Sequence, residues 1–474
     1  MRSARPPLTA ALVLAGCVLS GCVLGPDYKP PTPIAGATAP LVSVDPGLES
    51  RGEPPDAWWR LYEDPLLDRL VTEAFAANRD LAAAEANLSA ARAALEGARN
   101  GQYPQTKVNL GAKYGRDAIT DEILELNGHK PQTIWVFDDI FDVSYELDLF
   151  GRVRRQVEAS HADTEASVAN RDAIKITVAA ETTRAYAQVC ALGEQLAVAR
   201  QSVAVTGHEA DIARQRQKLG AGTDLDVVRA EQLQAQASAA IPPLDGQRRA
   251  ALFQLTALLG RTPSQAVTEA EACVVPPRLT SPLPVGDGAS LLRRRPDVRL
   301  ADRRLAAATA RIGVATAELY PRISLTGLYG GAAPALNDLI NNSGLTWGVG
   351  PEINWSFPNM AGPRARLKGA EANQAATLAN FDATVLQALK EAEQSLAVYG
   401  AELEHRRALG EALDKAQRAL DMAHGQFAAG SVSTLDTLTS EQTLVAANAQ
   451  VAASDAALAQ DQIAVFKALG GGWR

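Results

Sequence analysis

The chain has 474 residues, of which 47% are hydrophobic and only 5% aromatic, and its formal net charge is −8. This acidic balance disfavours nucleic acid as a partner. Beyond the N-terminal segment no run of about 18 apolar residues occurs, which excludes a transmembrane helix but not the short alternating strands of a barrel. Alanine-rich stretches without Gly or Pro indicate extended helices.

The N-terminus reads as a targeting segment. A basic start is followed by a short apolar run over residues 8–19, which is too short to span a bilayer. The run ends in LSGC, which resembles a bacterial lipobox. We therefore predict a signal peptide over 1–21 and a mature chain that begins at Cys22, with N-palmitoyl and S-diacylglycerol groups. LAGC, ending at Cys17, is the alternative lipidation site, and an ordinary signal peptide with incidental cysteines is the other interpretation.

The stretch from residue 135 to residue 149 alternates between two unlike faces. Its odd positions are apolar except for Asp139. The polar even positions are Asp138, Asp142, Ser144, Glu146 and Asp148. A period of two indicates a strand, and one apolar face opposite an acidic face is typical of a membrane barrel strand with a polar lumen. A long helical pattern follows at once, so we predict a barrel-to-helix joint at Phe150, Gly151 and Arg152.

The chain contains an internal duplication, which is the sequence signature of a repeat architecture. Asp80–Pro104 matches Asp297–Pro321 at an offset of 217 residues, and Gly220 matches Gly430 at an offset of 210. The predicted boundaries are 1–21 signal peptide, 22–77 lipidated N-terminal segment, 78–260 first repeat, 261–294 connector, 295–469 second repeat and 470–474 C-terminal tail.

Each repeat contains a helix, two strands, a very long helix and a returning helix. In the first repeat we expect strands at about 105–115 and 134–149 and helices at 152–219 and 223–260. In the second repeat we expect strands at about 322–330 and 345–357 and helices at 363–429 and 434–469. The long helices would each extend about 100 Å, so the returning helices pair with them as coiled-coil hairpins. Pro242 and Pro243 predict a break in the returning helix of the first repeat only.

Four strands cannot close a barrel, and open strand edges are not tolerated in lipid. The sequence therefore predicts an oligomer, in which three chains supply about twelve strands. The expected fold is an α+β membrane protein. It is a trimeric α/β-barrel with four antiparallel barrel strands per chain, continuing into a long coiled-coil helical tunnel.

Several motifs together resemble the outer-membrane efflux factor family, of the TolC/OprM type and in its NodT-like lipoprotein branch. They are CVLGPDYKP after the lipobox, SYELDLFGRVRRQVEAS, LLRRRPDVRLADRRL and GSVSTLDTLTSEQ. The resemblance covers nearly the whole chain after Cys22. It implies an outer-membrane, lipid-anchored homotrimer with helices in the periplasm and a mixed equatorial domain formed by the N-terminal segment and the connector.

The resemblance also implies a function. It indicates the passive outer-membrane duct of a tripartite efflux system, exporting drugs or other small molecules. Its partners would be a periplasmic adaptor protein and an inner-membrane pump, usually of the resistance-nodulation-division class. A duct for protein or peptide secretion is the alternative, and a non-transporting coiled-coil structural lipoprotein is a third interpretation.

Two pairs of residues mark the expected periplasmic end. Gly220 and Gly430 fit the left-handed position that ends a helix, and the resemblance implies that these turns contact the adaptor. Asp226 and Asp436 would, by the same resemblance, form carboxylate rings that gate the pore. Each Asp also lies three residues after a Thr or Ser, the spacing of a helix-capping box, so gating and capping remain two alternatives.

The sequence shows no constellation for catalysis, a cofactor or a metal ion, because the five histidines have no ligand spacing. Arg293, Arg294 and Arg295 precede Pro296 and Asp297, and we expect these arginines to pair with carboxylates rather than to bind substrate. Cys190 and Cys273 are far apart in sequence, and we expect no disulfide between them.

Overall fold

The computed structural model describes residues 23–43, 49–50, 52–116, 121–122, 125–126, 128, 130, 133–279, 282–340 and 345–471. Within these ranges, no helix combines the length and apolar character that a membrane crossing requires.

The described chain is mostly helical, and all its longer strands belong to one sheet. The helices are α1 (Pro65–Ala77), α2 (Arg79–Asn100), α3 (Arg152–Lys218), α4 (Asp224–Ala239), α5 (Ile241–Leu258), α6 (Gly288–Arg294), α7 (Pro296–Ala317), α8 (Leu336–Ile340), α9 (Ala361–Ala428) and α10 (Thr434–Ala468). The strands are β1 (Glu49–Ser50), β2 (Gln105–Gly115), β3 (Ile134–Leu147), β4 (Leu283–Pro284), β5 (Arg322–Ala333) and β6 (Leu345–Asn354). Short 3₁₀ turns lie at Trp58–Tyr62, Pro263–Gln265 and Thr268–Ala272.

The chain separates into two compact units, and each unit takes segments from both predicted repeats. The first unit consists of Met1–Pro31, Leu88–Ser167 and Ala301–Phe381. The second consists of Thr32–Asn87, Val168–Leu300 and Asp382–Arg474.

The first unit contains a four-stranded antiparallel sheet in the order β2-β3-β5-β6. The register places the apolar positions of all four strands on one face. Phe141 lies opposite both Val108 and Tyr329, and Tyr329 lies opposite Trp347. This face is open, since Trp347 is 72% exposed and Val349 71% exposed. The sheet therefore presents an apolar surface that is exposed over much of its extent.

Alternation in β3 holds with two kinds of exception. Asp139 lies on the apolar face, where its carboxylate accepts a hydrogen bond from the backbone N–H of Gly331 at 3.0 Å. Val136 and Ile140 occupy the opposite face, beside Asp138 and Asp142. The acidic face is thus mixed rather than uniformly polar.

The second unit contains the main hydrophobic core. Its centre is the fully buried indole of Trp58, which stacks on Phe466 with ring centroids 4.7 Å apart. Asp64 begins α1 by accepting the backbone N–H groups of Leu66 at 2.9 Å and Leu67 at 3.1 Å, and it also accepts the hydroxyl of Tyr186 at 2.7 Å. Burial of this aromatic and leucine cluster is the main stabilising force in the unit.

A disulfide joins Cys190 to Cys273, so the expectation of unpaired cysteines was wrong. Cys190 lies in α3 and Cys273 directly follows the 3₁₀ turn that ends at Ala272. The fold brings their Cα atoms to 4.7 Å although the two residues are 83 positions apart. The spacing in the sequence does not predict this disulfide, because the packing of the connector against α3 creates the contact.

The returning helix of the first repeat is broken and that of the second is not. α4 ends at Ala239 and α5 begins at Ile241, whereas α10 runs without interruption. Pro242 and Pro243 lie in the first turn of α5, where the missing N–H donors of proline are tolerated.

Candidate functional site

The joint between strand and helix is set by Asp148 and Gly151. The Asp148 carboxylate accepts the backbone N–H groups of Val153 at 3.0 Å and Arg154 at 2.9 Å, which caps α3. Because it serves the helix, Asp148 leaves the strand, and β3 ends at Leu147 rather than at the expected residue 149. Gly151 has a φ of +78°, a conformation that glycine adopts most readily.

Charged and aromatic side chains fill the space around this joint. Arg152 donates to both carboxylate oxygens of Glu146, at 2.8 and 2.5 Å. Phe150 stacks on Tyr320 with ring centroids 4.8 Å apart. These groups line a cleft of about 330 Å³. A bidentate pair of this kind holds the guanidinium in one orientation. It therefore fixes the first turn of α3 to the end of β3.

The segment that follows the predicted lipobox is bound at the same joint. The backbone N–H of Leu24 donates to the carbonyl of Phe150 at 3.3 Å. Arg155, only 3% exposed, donates to the carbonyls of Leu24 at 3.1 Å and Gly25 at 3.2 Å and to Asp27 at 2.7 Å. The two candidate acylation sites themselves lie outside the described residues; they are Cys17 and Cys22.

The long helices end in two turns with the same geometry, and we call these turns the tips. Gly220 has a φ of +72° and Gly430 a φ of +74°. In each tip the next N–H reaches back five residues, from Ala221 to Arg216 at 2.8 Å and from Ser431 to Gln426 at 2.9 Å. This is the pattern of a Schellman motif. Apart from chain neighbours, no atom of the described residues lies within 4 Å of a Cβ added at either glycine, so the backbone angle alone favours Gly.

Both predicted gate residues take part in complete capping boxes. Asp226 accepts the backbone N–H of Thr223 at 3.0 Å, while the Thr223 hydroxyl oxygen accepts the N–H of Asp226 at 3.2 Å. Asp436 and Ser433 repeat the arrangement at 2.9 and 3.3 Å. These hydrogen bonds lower the pKa of each Asp carboxyl. Both carboxylates therefore carry charge at neutral pH, and Asp436 is exposed to solvent whereas Asp226 is partly exposed.

One arginine connects the two tips of the chain. The Arg216 guanidinium donates to the Thr434 hydroxyl at 3.1 Å and lies 4.9 Å from the ring centroid of Phe427. Arg216 belongs to α3 and its partners to the second hairpin, formed by α9 and α10. The tips of the two repeats are thus in direct contact within one chain.

The structure also assembles a group that no sequence spacing indicated. The carboxylates of Glu209 and Glu441 and the imidazole of His424 place ligand atoms within 4.8 Å of one another. Burial, and then the charge of Glu209, raise the pKa of Glu441 to about 8. The three residues come from three helices, α3, α9 and α10, so only the folded chain brings them together.

The arginine run before α7 pairs with carboxylates, as the sequence predicted. Arg295 is buried and donates to Asp297 at 2.9 and 2.6 Å and to Glu391 at 2.7 Å. Arg293 lies 3.4 Å from Glu53. The run holds together segments of the second unit.

A mostly helical chain with a four-stranded antiparallel sheet and an open apolar sheet face has the architecture of an outer-membrane channel. The chain belongs to the outer membrane efflux protein family, which it matches over residues 70–261 and 289–471.

Individual relatives agree with this assignment. The chain is 29% identical over 477 residues to the probable outer membrane lipoprotein SilC of Salmonella typhimurium, covering 98% of each chain. It is 29% identical over 470 residues to the pyoverdine export outer membrane protein OpmQ of Pseudomonas putida, covering 94% of each. The solved outer-membrane channel OprN matches with 32% identity and a TM-score of 0.86, over 95% of this chain and 100% of that one. The protein is an outer-membrane efflux channel, as the sequence predicted.

Proposed function

We propose that three copies of the chain close a twelve-stranded barrel in the outer membrane and form a passive duct for small molecules. The observation that carries the proposal is the sheet itself. It has one open apolar face, and its outer strands β2 and β6 pair with no further strand in the described part of the chain. Unpaired strand edges are not viable in lipid, so β6 of one copy would pair with β2 of the next.

The predicted lipid anchor agrees with this arrangement. Hydrogen bonds of Leu24 and Arg155 hold the segment after Cys22 against the joint, where β3 gives way to α3. An acyl group on Cys22 would enter the membrane at the end of the sheet, on its periplasmic side. The acyl chains would thus insert into the inner leaflet, which the periplasmic end of the barrel also crosses.

The tips are proposed as the periplasmic gate and as the surface that meets the adaptor. Asp226 and Asp436 use carboxylate oxygens for capping, yet both side chains are ionised and reach solvent, Asp436 exposed and Asp226 partly exposed. Repeated by three-fold symmetry, they would form rings of negative charge that favour cations. Gly220 and Gly430 would shape the turns that an adaptor protein contacts, with an inner-membrane pump of the resistance-nodulation-division class behind it.

Small molecules are the proposed cargo, and the duct itself would perform no catalysis. OpmQ is named for the export of pyoverdine, and it aligns with nearly the whole chain. A secretion duct for proteins or peptides is the second candidate. A structural spacer is disfavoured because a spacer needs no open apolar sheet face.

Conductance of the purified chain in planar bilayers tests the proposal. We expect small, cation-preferring conductance in the unaltered protein, and larger conductance with weaker cation preference after Asp226→Ala together with Asp436→Ala. Thr223→Ala with Ser433→Ala is the matched control, because it removes the caps and keeps both carboxylates. Absence of conductance in all three proteins contradicts the duct, and equal effects of the two double variants contradict the charge gate.

A further inference from the structure

We propose that Glu209, His424 and Glu441 form a binding site for a divalent transition-metal ion of the zinc class, which ties the two helical hairpins of one chain together. The proposal concerns the chain's own ligands and does not depend on what the duct exports.

The geometry of the three side chains is close to that of a coordination sphere. The Nε2 atom of His424 lies 3.4 Å from a carboxylate oxygen of Glu441. Two ligands of a tetrahedral ion with bonds of about 2.0–2.1 Å are about 3.3–3.4 Å apart. This pair therefore already spans one edge of such a tetrahedron. Glu209 completes the group, whose ligand atoms all lie within 4.8 Å of one another. A change of rotamer in its flexible side chain would bring its carboxylate to ligand distance.

Burial at Glu441 supplies the independent reason to expect a cation. The Glu441 side chain is only 3% exposed, and its buried Oε2 atom receives no hydrogen bond from a donor among the described residues. A second carboxylate, that of Glu209, adds like charge to the same space. A buried polar atom left unpaired is destabilising, and more so when it is charged. A bound cation would satisfy this oxygen and offset the negative charge of the Glu209 and Glu441 pair.

The donor set selects the kind of ion. Two carboxylates and one imidazole suit zinc and its neighbours copper and nickel, since imidazole is a ligand of these metals. Calcium takes six to eight oxygen ligands and magnesium requires near-ideal octahedral oxygen geometry, so both fit this set poorly. His424 is 51% exposed, which leaves an open side through which the ion can enter and retain a water ligand.

The position of the site gives the ion a structural consequence. Glu209 lies on α3 of the first hairpin, whereas His424 and Glu441 lie on α9 and α10 of the second. The ion would therefore join the hairpins about 16 Å along α3 from Gly220 and about 9 Å along α9 from Gly430. It would add a second link behind the Arg216 contact between the tips.

Calorimetric titration of the full-length, metal-stripped chain in detergent with Zn²⁺ tests the proposal, after removal of any polyhistidine tag. We expect one Zn²⁺ per chain and at least a tenfold loss of affinity, about the scale set by perturbing a metal site, in both His424→Ala and Glu441→Gln. Mg²⁺ at the same concentrations should not displace the Zn²⁺.

His405→Ala is the matched control. His405 lies on the same helix, is 59% exposed and lies 3.3 Å from Glu402, yet Glu402 is not an unpartnered buried carboxylate because it accepts the hydroxyl of Ser454. This variant should bind Zn²⁺ like the unaltered chain. In hydrogen exchange, Zn²⁺ should protect the last two turns of α3 and α9 in the unaltered chain and in His405→Ala, but not in His424→Ala.

Three results would each overturn the proposal. They are the absence of Zn²⁺ binding to the unaltered chain, equal binding by His424→Ala and Glu441→Gln, and equal affinity for Mg²⁺. The first variant changes an exposed residue and the second is nearly isosteric, so both are expected to fold.

Discussion

Single polar side chains determine where the helices of this protein begin. Asp148 caps α3, Thr223 caps α4 and Ser433 caps α10, each by accepting backbone N–H groups that the first helical turn leaves unpaired. The two capping boxes recur at the duplicated positions of the chain. The duplication has therefore preserved the local chemistry of the two tips.

The caps predict a local dependence on pH. The pKa values of Asp226 and Asp436 are lowered in the folded chain by hydrogen bonds from Thr223 and Ser433. Such a group adds stability above its ordinary pKa of 3.8, and this stability is lost as the pH falls through the lower, folded value. Hydrogen exchange in the first turns of α4 and α10, corrected for the intrinsic rate, should accelerate as the pH falls below about 3.8.

Thr223→Ala provides the control for this dependence. It should speed exchange in α4 already at neutral pH, because a lost cap costs about 1 kcal/mol of local stability. It should also flatten the pH response of exchange in α4 and leave that of α10 unchanged. An α4 profile that is identical in the variant and the unaltered chain would count against the capping account.

The same residues show which contacts of single side chains could be predicted from the sequence. Thr223 and Asp226 are three positions apart on one helix start, so their spacing alone predicted the capping box. Glu209, His424 and Glu441 lie on three helices, and no spacing in the sequence relates them. Local chemistry is readable from the chain, whereas a cluster across helices depends on packing.

At the scale of secondary-structure elements, the alternation of apolar residues and the positions of proline predicted the strands and the helix break. The period of two identified the four strands of the sheet, because each strand has one open apolar face. Pro242 and Pro243 identified the break between α4 and α5. The ends of the strands were less predictable. Asp148 has the polarity of a strand position, but its carboxylate is committed to the first turn of α3.

The disulfide is the element-scale feature that the sequence concealed. It closes a loop of 83 positions between α3 and the connector, and a constraint of this kind contributes about 2–4 kcal/mol. We expect a reductant to lower the thermal unfolding temperature of the purified chain. Cys190→Ser combined with Cys273→Ser should begin at the lower temperature and show no response to reductant.

A reductant response that persists in the double variant would assign the effect to another group. Within the described residues these two cysteines are the only ones, so the double variant removes every thiol that the structure places.

At the scale of the whole molecule, the sheet decides how the protein meets its membrane. Its apolar face is aligned across all four strands, and the opposite face carries Asp138, Asp142 and Glu146 with Asn109, whose amide donates to Asp142 at 2.8 Å. One face therefore suits lipid and the other suits water. This division follows from the register, because a slip of one residue would exchange the faces.

Val349→Arg tests the membrane role of the apolar face. An arginine on the lipid side of a barrel costs about 2–4 kcal/mol near the bilayer midplane, so we expect less assembled protein in outer-membrane fractions and less heat-modifiable migration on gels. Thr346→Arg is the matched control, because position 346 lies on the opposite face of the same strand. Equal loss in both variants would contradict the assignment of the faces.

The close contact between Val23 and the joint limits how a lipid tether can behave. A Cβ at Gly151 would lie 2.9 Å from the Cα of Val23, so the chain passes directly over this glycine. Consecutive Cα atoms are about 3.8 Å apart, and an acylated Cys22 would have almost no slack. Its acyl chains would therefore fix the depth at which the sheet lies in the bilayer. Acylation at Cys17 would instead leave a tether of five residues, up to about 18 Å long. The anchor would then not fix the depth of the sheet in the bilayer.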